Sequence, residues 1–464
     1  MLLKQYYLDC LAHASYLVGD EKAGIAAVVD PRRDIDEYLE DAAKAGLAIK
    51  HVILTHFHAD FVSSHLNFRD DYGATIHIGA QGSAEYEFSP VHDGDTLDLG
   101  DVHLEFLETP GHTPESISTV VTDTATSDKP YAVFTGDTLF IGDVGRPDLV
   151  ASEGFDAKTL ATALYDSLHE KLLPLPDDTI VYPAHGAGSL CGRNMSTDTF
   201  STIGVQRAYN YALQDMTRDE FVAMITKDQP PVPSYFGWDA QLNRRELPFG
   251  GRTVELERLS FDEFLKRADD GSQILDARDP VDFAARHMRG AINVGLDGSF
   301  AQWAGAVLDF HTPIILIIYP GGEAEIVTRL ARVGIDNITG FLSSGMQPFE
   351  ARPDLLERTE RITAKNLDEL LAEPNPPVIV DVRGPFEWQA GHIEGSINLP
   401  LQQLQDRLNE IPNRPFALQC LAGYRSSVAA SILQRKGITD FIELTGGIEA
   451  WEASKLPTVT EPAT

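Results

Sequence analysis

The chain has 464 residues, enough for two to four domains, and its hydrophobic (43%) and charged (23%) fractions are typical of globular proteins. Its formal net charge of −33 repels phosphate backbones and anionic lipids, which argues against nucleic acid and membrane surfaces as partners. The three cysteines are widely spaced and give no disulfide framework. No secretion signal or membrane-length apolar run is recognisable. We therefore predict a cytoplasmic protein.

The first 250 residues alternate short β-rich runs with polar loops and a few helical stretches. Hairpin strands are predicted at 15–19 and 26–30, and a helix at 35–45. Later strands, each leading towards a His or an Asp, are predicted at 51–55, 102–107, 131–135 and 179–182. Strands that feed polar loops at one sheet edge are a common way for α/β proteins to build a site.

Ligand-type side chains follow these strands. The run Thr55-His-Phe-His-Ala-Asp60 places two His and one Asp at alternate positions directly after a strand, so these side chains can converge on a cation. His112, Asp137 and His185 follow the next three strands. Imidazole and carboxylate ligands at this density suit Zn, Fe or Mn. The sequence therefore predicts a metal site, with the metal left open.

These residues resemble the metallo-β-lactamase superfamily, whose members carry an HxHxDH box followed by downstream His, Asp and His. The resemblance covers roughly residues 1 to 230 and implies an αββα sandwich. In two-metal members the last His of the box binds the second metal, but Phe61 stands there in this chain. The loss of that ligand favours a single metal.

A one-metal site in this superfamily resembles the persulfide dioxygenase branch. The resemblance implies one Fe(II) per chain, held by His56, His112 and Asp137, with zinc as an alternative occupant after purification. This two-His, one-carboxylate set leaves positions open for O₂ and a substrate sulfur. The remaining polar residues of the cluster are then expected to orient the ligands and bound water; they are His58, Asp60 and His185.

Three further residues are candidates for substrate binding. The segment from Gly136 to Asp148 resembles a loop of the dioxygenase and glyoxalase II branches, and its Arg146 is either an anion contact or a structural salt-bridge partner. Cys191 and Arg193 follow His185 closely, so they are placed near the metal pocket. Cys191 either carries sulfane sulfur transiently or simply lines the loop. Cys10 is predicted to be a core residue.

The second half contains an internal repeat. Ile274-Leu-Asp-Ala-Arg and Ile379-Val-Asp-Val-Arg are each followed by a His, 11 residues after the Asp in both copies. The tails of the copies, residues 339–349 and 445–451, match as well. A period of about 105 residues is too long for a solenoid and indicates two copies of a small α/β domain. With a linker around Asp228-Gln-Pro-Pro and Gly250-Gly251, the predicted domains are 1–250, 251–357 and 358–464.

The second copy carries a candidate nucleophile. Cys420-Leu-Ala-Gly-Tyr-Arg425 lies between an apolar strand and a helical run, where backbone N–H groups and Arg425 favour a thiolate. The loop resembles the rhodanese motif CxxGxR. The first copy has Tyr319-Pro-Gly-Gly-Glu instead, with Pro320 or a neighbour at the Cys position and Glu323 where Arg belongs. That copy is predicted to be a rhodanese fold without rhodanese activity.

The domain order resembles bacterial persulfide dioxygenase–sulfurtransferase fusions. The resemblance implies sulfide detoxification, with a small-molecule thiol persulfide, O₂ and sulfite as partners and a homo-oligomeric assembly. Iron-dependent oxidation would yield sulfite, and Cys420 would transfer sulfane sulfur to form thiosulfate. Two alternatives remain: a zinc thioester hydrolase of glyoxalase II type joined to a sulfur carrier, and a non-catalytic sulfur-trafficking protein.

Overall fold

The chain folds into two compact units in the computed structural model, which describes residues 1–151, 154–227, 229–247 and 256–460. Unit 1 comprises Met1–Thr253 with Ala331–Gly334, and unit 2 comprises Val254–Leu330 and Ile335–Thr464. Both rhodanese-like copies therefore fall within unit 2. Asp228, the predicted linker at Gly250-Gly251 and the domain boundary at 250/251 lie outside the described residues.

Unit 1 begins with a six-stranded mixed sheet in which the strands lie in the order of the sequence. The predicted hairpin forms its second and third strands. The first three strands are antiparallel neighbours, and the remaining pairs are parallel. Its strands are β1 (Leu2–Leu8), β2 (His13–Asp20), β3 (Ile25–Val29), β4 (Ala48–Ile53), β5 (Thr75–Gly79) and β6 (Ser89–Val91), and its helices are α1 (Asp36–Lys44) and α2 (His65–Tyr72).

A second six-stranded sheet has the order β12-β11-β10-β9-β8-β7. Its strands are β7 (Thr96–Asp98), β8 (Val102–Glu108), β9 (Ile117–Asp123), β10 (Ala132–Gly136), β11 (Ile180–Pro183) and β12 (Ser201–Thr202). The helices of this half are α3 (Ala157–Asp166), which continues into a π-helical turn (Ser167–Leu172), α4 (Ile203–Tyr209), α5 (Arg218–Thr226) and α6 (Phe236–Leu242).

Three apolar layers hold unit 1 together. One contains residues of both sheets, such as Val18 and Phe134. A second joins the first sheet to α1 and α2, and a third joins the second sheet to α3 and α5. Two central sheets flanked by helices form the αββα sandwich that the resemblance implies. Cys10, however, lies in the turn after β1 and is only partly buried.

The first copy in unit 2 is a parallel five-stranded sheet in the order β13-β18-β17-β14-β16. Its strands are β13 (Arg258–Leu259), β14 (Gln273–Asp276), β16 (Ile292–Asn293), β17 (Ile314–Ile317) and β18 (Ile338–Leu342); a separate two-stranded ladder pairs β15 (His287–Met288) with β19 (Leu356–Glu357). Its helices are α7 (Phe261–Asp269), α8 (Pro280–Ala285), α9 (Phe300–Val307) and α10 (Glu323–Ala331).

The second copy repeats this topology in the order β20-β24-β23-β21-β22. Its strands are β20 (Arg361–Ile362), β21 (Val378–Asp381), β22 (Ile397–Asn398), β23 (Phe416–Gln419) and β24 (Phe441–Leu444). Its helices are α11 (Ala364–Leu371), α12 (Pro385–Ala390), α13 (Tyr424–Arg435) and α14 (Gly447–Ala453). The predicted duplication is thus present at the level of strand order.

Strand register aligns the two copies residue by residue. In β17 and β23, Leu316 pairs with Phe341 and Leu418 pairs with Glu443, so Phe341 and Glu443 are equivalent. Counting from these positions, Ser343 is equivalent to Thr445, and segment 343–349 of the first tail aligns with segment 445–451 of the second. Within the described part of the chain, no helix has the length and apolar character needed to cross a bilayer.

Candidate functional site

Three ligand-type side chains meet at the ends of strands in unit 1. One ligand atom from each of His56, His112 and Asp137 lies within 4.8 Å of the others, and all three residues are buried. Asp137 Oδ2 is 3.5 Å from His112 Nε2 and 3.9 Å from His56 Nε2. This carboxylate oxygen is buried and has no hydrogen-bond partner within the described part of the chain. An orphaned carboxylate oxygen facing two imidazole nitrogens is the arrangement expected for metal ligands.

Hydrogen bonds on the far side of each ring orient the two histidines. His112 Nδ1 lies 2.9 Å from the Arg146 carbonyl oxygen, to which only a protonated Nδ1 can donate. His56 Nδ1 lies 3.0 Å from Thr55 Oγ1, whose own proton is donated to Asp30 Oδ2 at 2.8 Å. Both rings therefore carry the proton on Nδ1 and leave Nε2 free, as a metal ligand requires.

Electrostatics also suit a divalent cation. Burial lowers the pKa of His56 well below its ordinary value and also lowers that of His112, so both rings are neutral. Burial opposes ionisation of Asp137, but the charge and hydrogen bond of the His185 ring outweigh it and hold the pKa of this carboxyl well below its usual range. Neutral imidazole and ionised carboxylate are the forms that bind metal, so these residues fit a resident cation.

His185 and Asp60 lie beside this group rather than in it. His185 Nδ1 is 2.8 Å from Asp137 Oδ1, and His185 Nε2 is 2.8 Å from Asp60 Oδ2. Burial disfavours the charged ring, but the two carboxylates outweigh it and raise the pKa of His185 well above its ordinary value. His58 Nε2 lies 2.9 Å from Asp30 Oδ1. These contacts agree with the predicted orienting role.

Phe61 fills the position of the missing second-metal ligand. Its ring is fully buried, 4.0 Å from the His13 ring and 4.4 Å from the His58 ring between centroids. His13, at the start of β2, was not predicted; both its ring nitrogens are buried without a hydrogen-bond partner. No ligand motif surrounds His13 in the sequence, and only its antiparallel bridge to His185 brings it here.

Cys191 lies beside the candidate metal ligands. Its thiol groups with Asp60 and His185, the ligand atoms of all three lying within 4.8 Å of one another. Burial, reinforced by Asp60 and Asp137, raises the pKa of this thiol well above its ordinary value. A buried, protonated thiol lines the pocket without being activated as a nucleophile.

The two arginines proposed for substrate binding are engaged elsewhere. Arg146 is 1% exposed, and its guanidinium makes two 2.7 Å contacts with Asp148 and donates to the Pro230 carbonyl at 2.6 Å. The structural salt bridge is therefore the alternative that its contacts support. Arg193 donates to the backbone carbonyls of Lys227 (2.6 Å) and Met224 (3.2 Å) after and within α5. Both guanidinium groups are occupied by protein acceptors.

The Cys420 loop lies in the second copy of unit 2, between β23 and α13. The Gly423 N–H donates to Cys420 Sγ at 3.1 Å, and the left-handed φ of +106° at Gly423 turns this N–H inward. Two amides at the start of α14 hold the loop from behind: Ile448 N donates to the Cys420 carbonyl at 2.9 Å and Glu449 N to the Leu421 carbonyl at 3.1 Å. One backbone donor of the loop thus faces the sulfur, and two further amides fix the loop through its carbonyl groups.

Arg425, which the motif predicts to act on the Cys420 sulfur, is bound to a carboxylate. Its guanidinium forms a two-point ion pair with Glu387, with N–O distances of 2.6 and 2.7 Å. Arg361 from β20 lies on the other side of the loop. It borders a cavity of about 340 Å³ together with Ala422, Gly423 and Tyr424. The first copy supplies the other wall of this cavity, including Asp279, Asp297 and Tyr319.

Strand pairing identifies the residue of the first copy that replaces Cys420. Ile317 pairs with Asp276 as Gln419 pairs with Asp381, so Ile318 is equivalent to Cys420. The Cys position was predicted at Pro320 or a neighbour, but strand pairing places it two residues before Pro320, at the last residue of the predicted strand. Glu323 is then equivalent to Arg425. The first copy therefore lacks both the thiol and the motif arginine.

Comparison with known proteins identifies two kinds of domain in the chain. The family model described as metallo-beta-lactamase superfamily matches residues 8–185, and the rhodanese-like domain model matches residues 260–352 and 363–454. The mitochondrial persulfide dioxygenase ETHE1 of Bos taurus is 29% identical over 247 residues, which cover 53% of this chain and 88% of that protein.

Two further relatives extend the likeness. The probable metallo-hydrolase YqgX of Bacillus subtilis is 32% identical over 195 residues, covering 38% of this chain and 85% of that protein. The crystal structure of a metallo-beta-lactamase from Staphylococcus aureus is 30% identical, with a TM-score of 0.67, and the match covers 73% of this chain and 98% of that one. The chain therefore belongs to the metallo-β-lactamase superfamily, as a member in which two rhodanese-like domains follow the metallo-β-lactamase domain.

Proposed function

We propose that this protein oxidises the sulfane sulfur of a low-molecular-weight thiol persulfide to sulfite and passes further sulfane sulfur through Cys420. The first reaction is RSSH + O₂ + H₂O → RSH + SO₃²⁻ + 2H⁺. The group formed by His56, His112 and Asp137, with Phe61 beside it, is the observation that carries the proposal. The likeness of unit 1 to enzymes named persulfide dioxygenase supports it.

One Fe(II) per chain is the proposed cofactor of this group. When bound, iron would supply open coordination positions and redox chemistry for O₂ and a sulfur substrate. The protein's part is positioning. Thr55 and the Arg146 carbonyl hold the two imidazole rings, and His185 balances the negative charge of Asp137 and Asp60. Burial of all these groups excludes bulk water from the centre.

Sulfur transfer is proposed to occur in unit 2. The Cys420 thiolate attacks the outer sulfur of a donor, forms Cys–S–SH and releases the donor thiolate. Sulfite then attacks the outer sulfur of the Cys420 persulfide, which yields thiosulfate and regenerates the thiolate. The Gly423 N–H is placed to stabilise the negative sulfur in both steps. Sulfite made by the first activity is an acceptor for the second, so a shared chain favours coupling.

Oxygen uptake tests the dioxygenase proposal. Protein purified without oxygen is assayed for iron and zinc and then mixed with glutathione persulfide or coenzyme A persulfide in an oxygen electrode. The proposal predicts one iron per chain and one sulfite formed per O₂ consumed. An iron-loaded sample that consumes no O₂ with any thiol persulfide would show that it is wrong. Sedimentation analysis of the same sample tests the predicted homo-oligomer.

A two-metal thioester hydrolase is the second candidate, because Asp60, His185 and Cys191 offer a further set of ligand atoms. Two observations weigh against it. Phe61 occupies the position of a ligand, and His185 is already engaged with both Asp137 and Asp60. Two tightly bound zinc ions per chain with hydrolysis of S-lactoylglutathione would favour this candidate. One metal with no hydrolysis would exclude it.

A further inference from the structure

The two rhodanese-like copies differ in a coordinated way around Cys420. Where the second copy has Cys420, the first has Ile318. Six residues further on, Ser426 corresponds to Ala324. On the neighbouring strand Glu443 corresponds to Phe341. The copy that lacks the thiol therefore also lacks a buried hydroxyl and a buried acid.

In the second copy these three side chains touch one another. Cys420 Sγ is 3.5 Å from Ser426 Oγ, and Ser426 Oγ is 2.6 Å from Glu443 Oε1. Ser426 Oγ also lies 3.2 Å from the Gly423 carbonyl, but the shorter contact to the carboxylate takes its single proton. All three residues are at most 1% exposed. The result is a continuous hydrogen-bonded chain from the thiol to a carboxylate.

The cation at the end of this chain is present in both copies. Arg361 Nε lies 3.2 Å from Glu443 Oε2, and strand pairing equates Arg361 with Arg258 of the first copy. There the Arg258 guanidinium stands 5.8 Å from the centroid of the Phe341 ring. The same fold therefore accepts an aromatic ring at the position of Glu443. A buried acid at this position costs folding free energy, because burial disfavours its charge. The first copy shows that an apolar residue can occupy the same space.

We propose that Glu443, acting through Ser426, is a positioning residue that shares one proton with the Cys420 thiol. In one state the Cys420 S–H donates to Ser426 Oγ, and the Ser426 O–H donates to the Glu443 carboxylate. In the other, Glu443 holds the proton and donates to Ser426, and Ser426 donates to the Cys420 thiolate. No bond to carbon changes. The three hydrogen-bonded side chains together carry one negative charge in both states. The inference rests on the proposed sulfur transfer through Cys420.

The charged groups around the chain fit this exchange. Arg361 of β20 faces Glu443 and balances the single negative charge. Arg425 of α13 is neutralised by Glu387 of α12, and Asp381 of β21 is paired with Arg383 at 2.7 Å. Burial raises the pKa of Glu443, against the opposing effects of Ser426 and Arg361, so this carboxylate is a ready proton acceptor. Moving the proton within the chain leaves the net charge of the site unchanged.

The pH dependence of thiol alkylation tests the proposal. The rate at which iodoacetamide modifies Cys420 is measured on the full-length protein from pH 6 to 9, by mass spectrometry of the Cys420 peptide. In the wild type we expect less than about a tenfold change over this range, because the proton stays within the chain. In Glu443→Gln and Ser426→Ala we expect a rise of about tenfold per pH unit from pH 6 to about 8 and a levelling off towards pH 9, as for an isolated thiol with an ordinary pKa of about 8.5. Wild-type slopes in both variants would overturn the proposal.

Two controls separate the possible causes of a change. Ser427→Ala removes the adjacent hydroxyl, which donates to Asn293 Oδ1 at 2.6 Å instead of facing the thiol, and should keep the wild-type slope. A change of slope in this variant equal to that in Ser426→Ala would also contradict the proposal. Ser426→Ala introduces the residue that the first copy already carries, so it keeps the test valid if Glu443→Gln does not fold.

Alkylation needs no sulfur substrate, which keeps the two proposals distinguishable. Thiosulfate formation by the wild type is measured in parallel. If the slopes differ as expected but no thiosulfate is formed, sulfur transfer fails and the proton exchange stands. If thiosulfate is formed and both variants keep the wild-type slope, the proton exchange fails alone.

Discussion

Cys420 and His112 belong to different units, so a substitution at either residue should affect one activity. Cys420→Ser removes the only thiol of the rhodanese-like loop and is expected to abolish thiosulfate formation. Oxygen consumption with a thiol persulfide should stay within about twofold of the wild type, measured in an oxygen electrode, because the candidate metal ligands are untouched. Loss of both activities would contradict the assignment of two sites.

His112→Ala should have the reverse effect. Its ring contributes one of the three ligand atoms that face one another, so we expect loss of bound iron and of oxygen uptake by at least 100-fold. Sulfur transfer from thiosulfate to cyanide should persist. His103→Ala, at a half-buried histidine on β8 that pairs with Asp98 away from the ligand group, is the matched control and should retain both iron and uptake. Equal iron content in the two variants would remove His112 from the ligand set.

His77 should make the protein sensitive to acid. Burial, with a smaller effect of neighbouring His51, lowers the pKa of His77 to about 4 in the folded state. The unfolded chain takes up this proton near pH 6.5, so the stability contribution is complete above that pH and is lost as the pH falls to 4. It amounts to roughly 3 kcal/mol. His77→Phe should flatten the fall in unfolding free energy over this window, and His92→Phe, at an exposed position, should not.

Among individual residues, those that follow a recognisable spacing could be predicted from sequence. His56, His112 and Asp137 each come after an apolar strand, and the Cys420 loop has a motif. Glu443 and His13 carry no local signal, because their partners are distant in the chain, and the link of Ser426 to Glu443 is invisible for the same reason. Arg146 could not be assigned either: its identity allows an anion contact, and only the position of Asp148 and Pro230 shows a structural role.

At the scale of elements, the approach of α14 to the Cys420 loop depends on one glycine. A Cβ on Gly447 would lie 2.3 Å from the Cys420 carbonyl oxygen, and the φ of this residue is +58°. Its equivalent in the first copy, Gly345, has a φ of +55° but open space around it. Both positions have a left-handed backbone that disfavours any residue with a Cβ. Only at Gly447 would an added Cβ also clash with a neighbouring atom.

Gly447→Ala and Gly345→Ala therefore form a matched pair. Both should lose about 1 kcal/mol of stability from the left-handed backbone. Only Gly447→Ala should also move the loop, and we expect sulfur transfer to fall at least tenfold in that variant. Chemical denaturation and a thiosulfate sulfurtransferase assay measure the two effects. Equal activity in the two variants would show that the contact between α14 and the loop is dispensable.

The elements themselves followed from periodicity, whereas their exact matching did not. The buried strands and α1 stand close to their predicted bounds, because apolar alternation and helical spacing are local properties. The register of the repeat is a property of strand pairing. A bulge in β18 between the partners of Ile314 and Ile315 shifts the register inside the first copy, so residue equivalences such as Ser343 with Thr445 come from the structure.

For the whole molecule, we expect metal removal to lower the stability of unit 1 and to leave that of unit 2 unchanged. The buried carboxylate oxygen Oδ2 of Asp137 accepts no hydrogen bond from the described residues, so a bound cation is expected to stabilise the folded state of unit 1 by mass action. At a free concentration 1,000 times its Kd, the gain is about 4 kcal/mol.

Hydrogen–deuterium exchange after treatment with a chelator checks this expectation. Amides of β10 and β11 should exchange faster, while those of β21 and β23 should be unchanged. Restoring iron should reverse the effect. Uniformly faster exchange would mean that the cation stabilises more than its own unit.

The left-handed glycine of the Cys420 loop has a counterpart in the equivalent turn of the first copy. Gly321 in the first copy has a φ of +92°, close to the +106° of Gly423, although no thiol is present there. The shape of the turn is thus inherited with the fold, and reactivity is a matter of a few side chains placed around it. For protein engineering, the first copy therefore offers a loop of the right backbone shape for a second nucleophile. The substitutions Ile318→Cys, Ala324→Ser and Phe341→Glu would place the thiol, hydroxyl and carboxylate of the second copy around it.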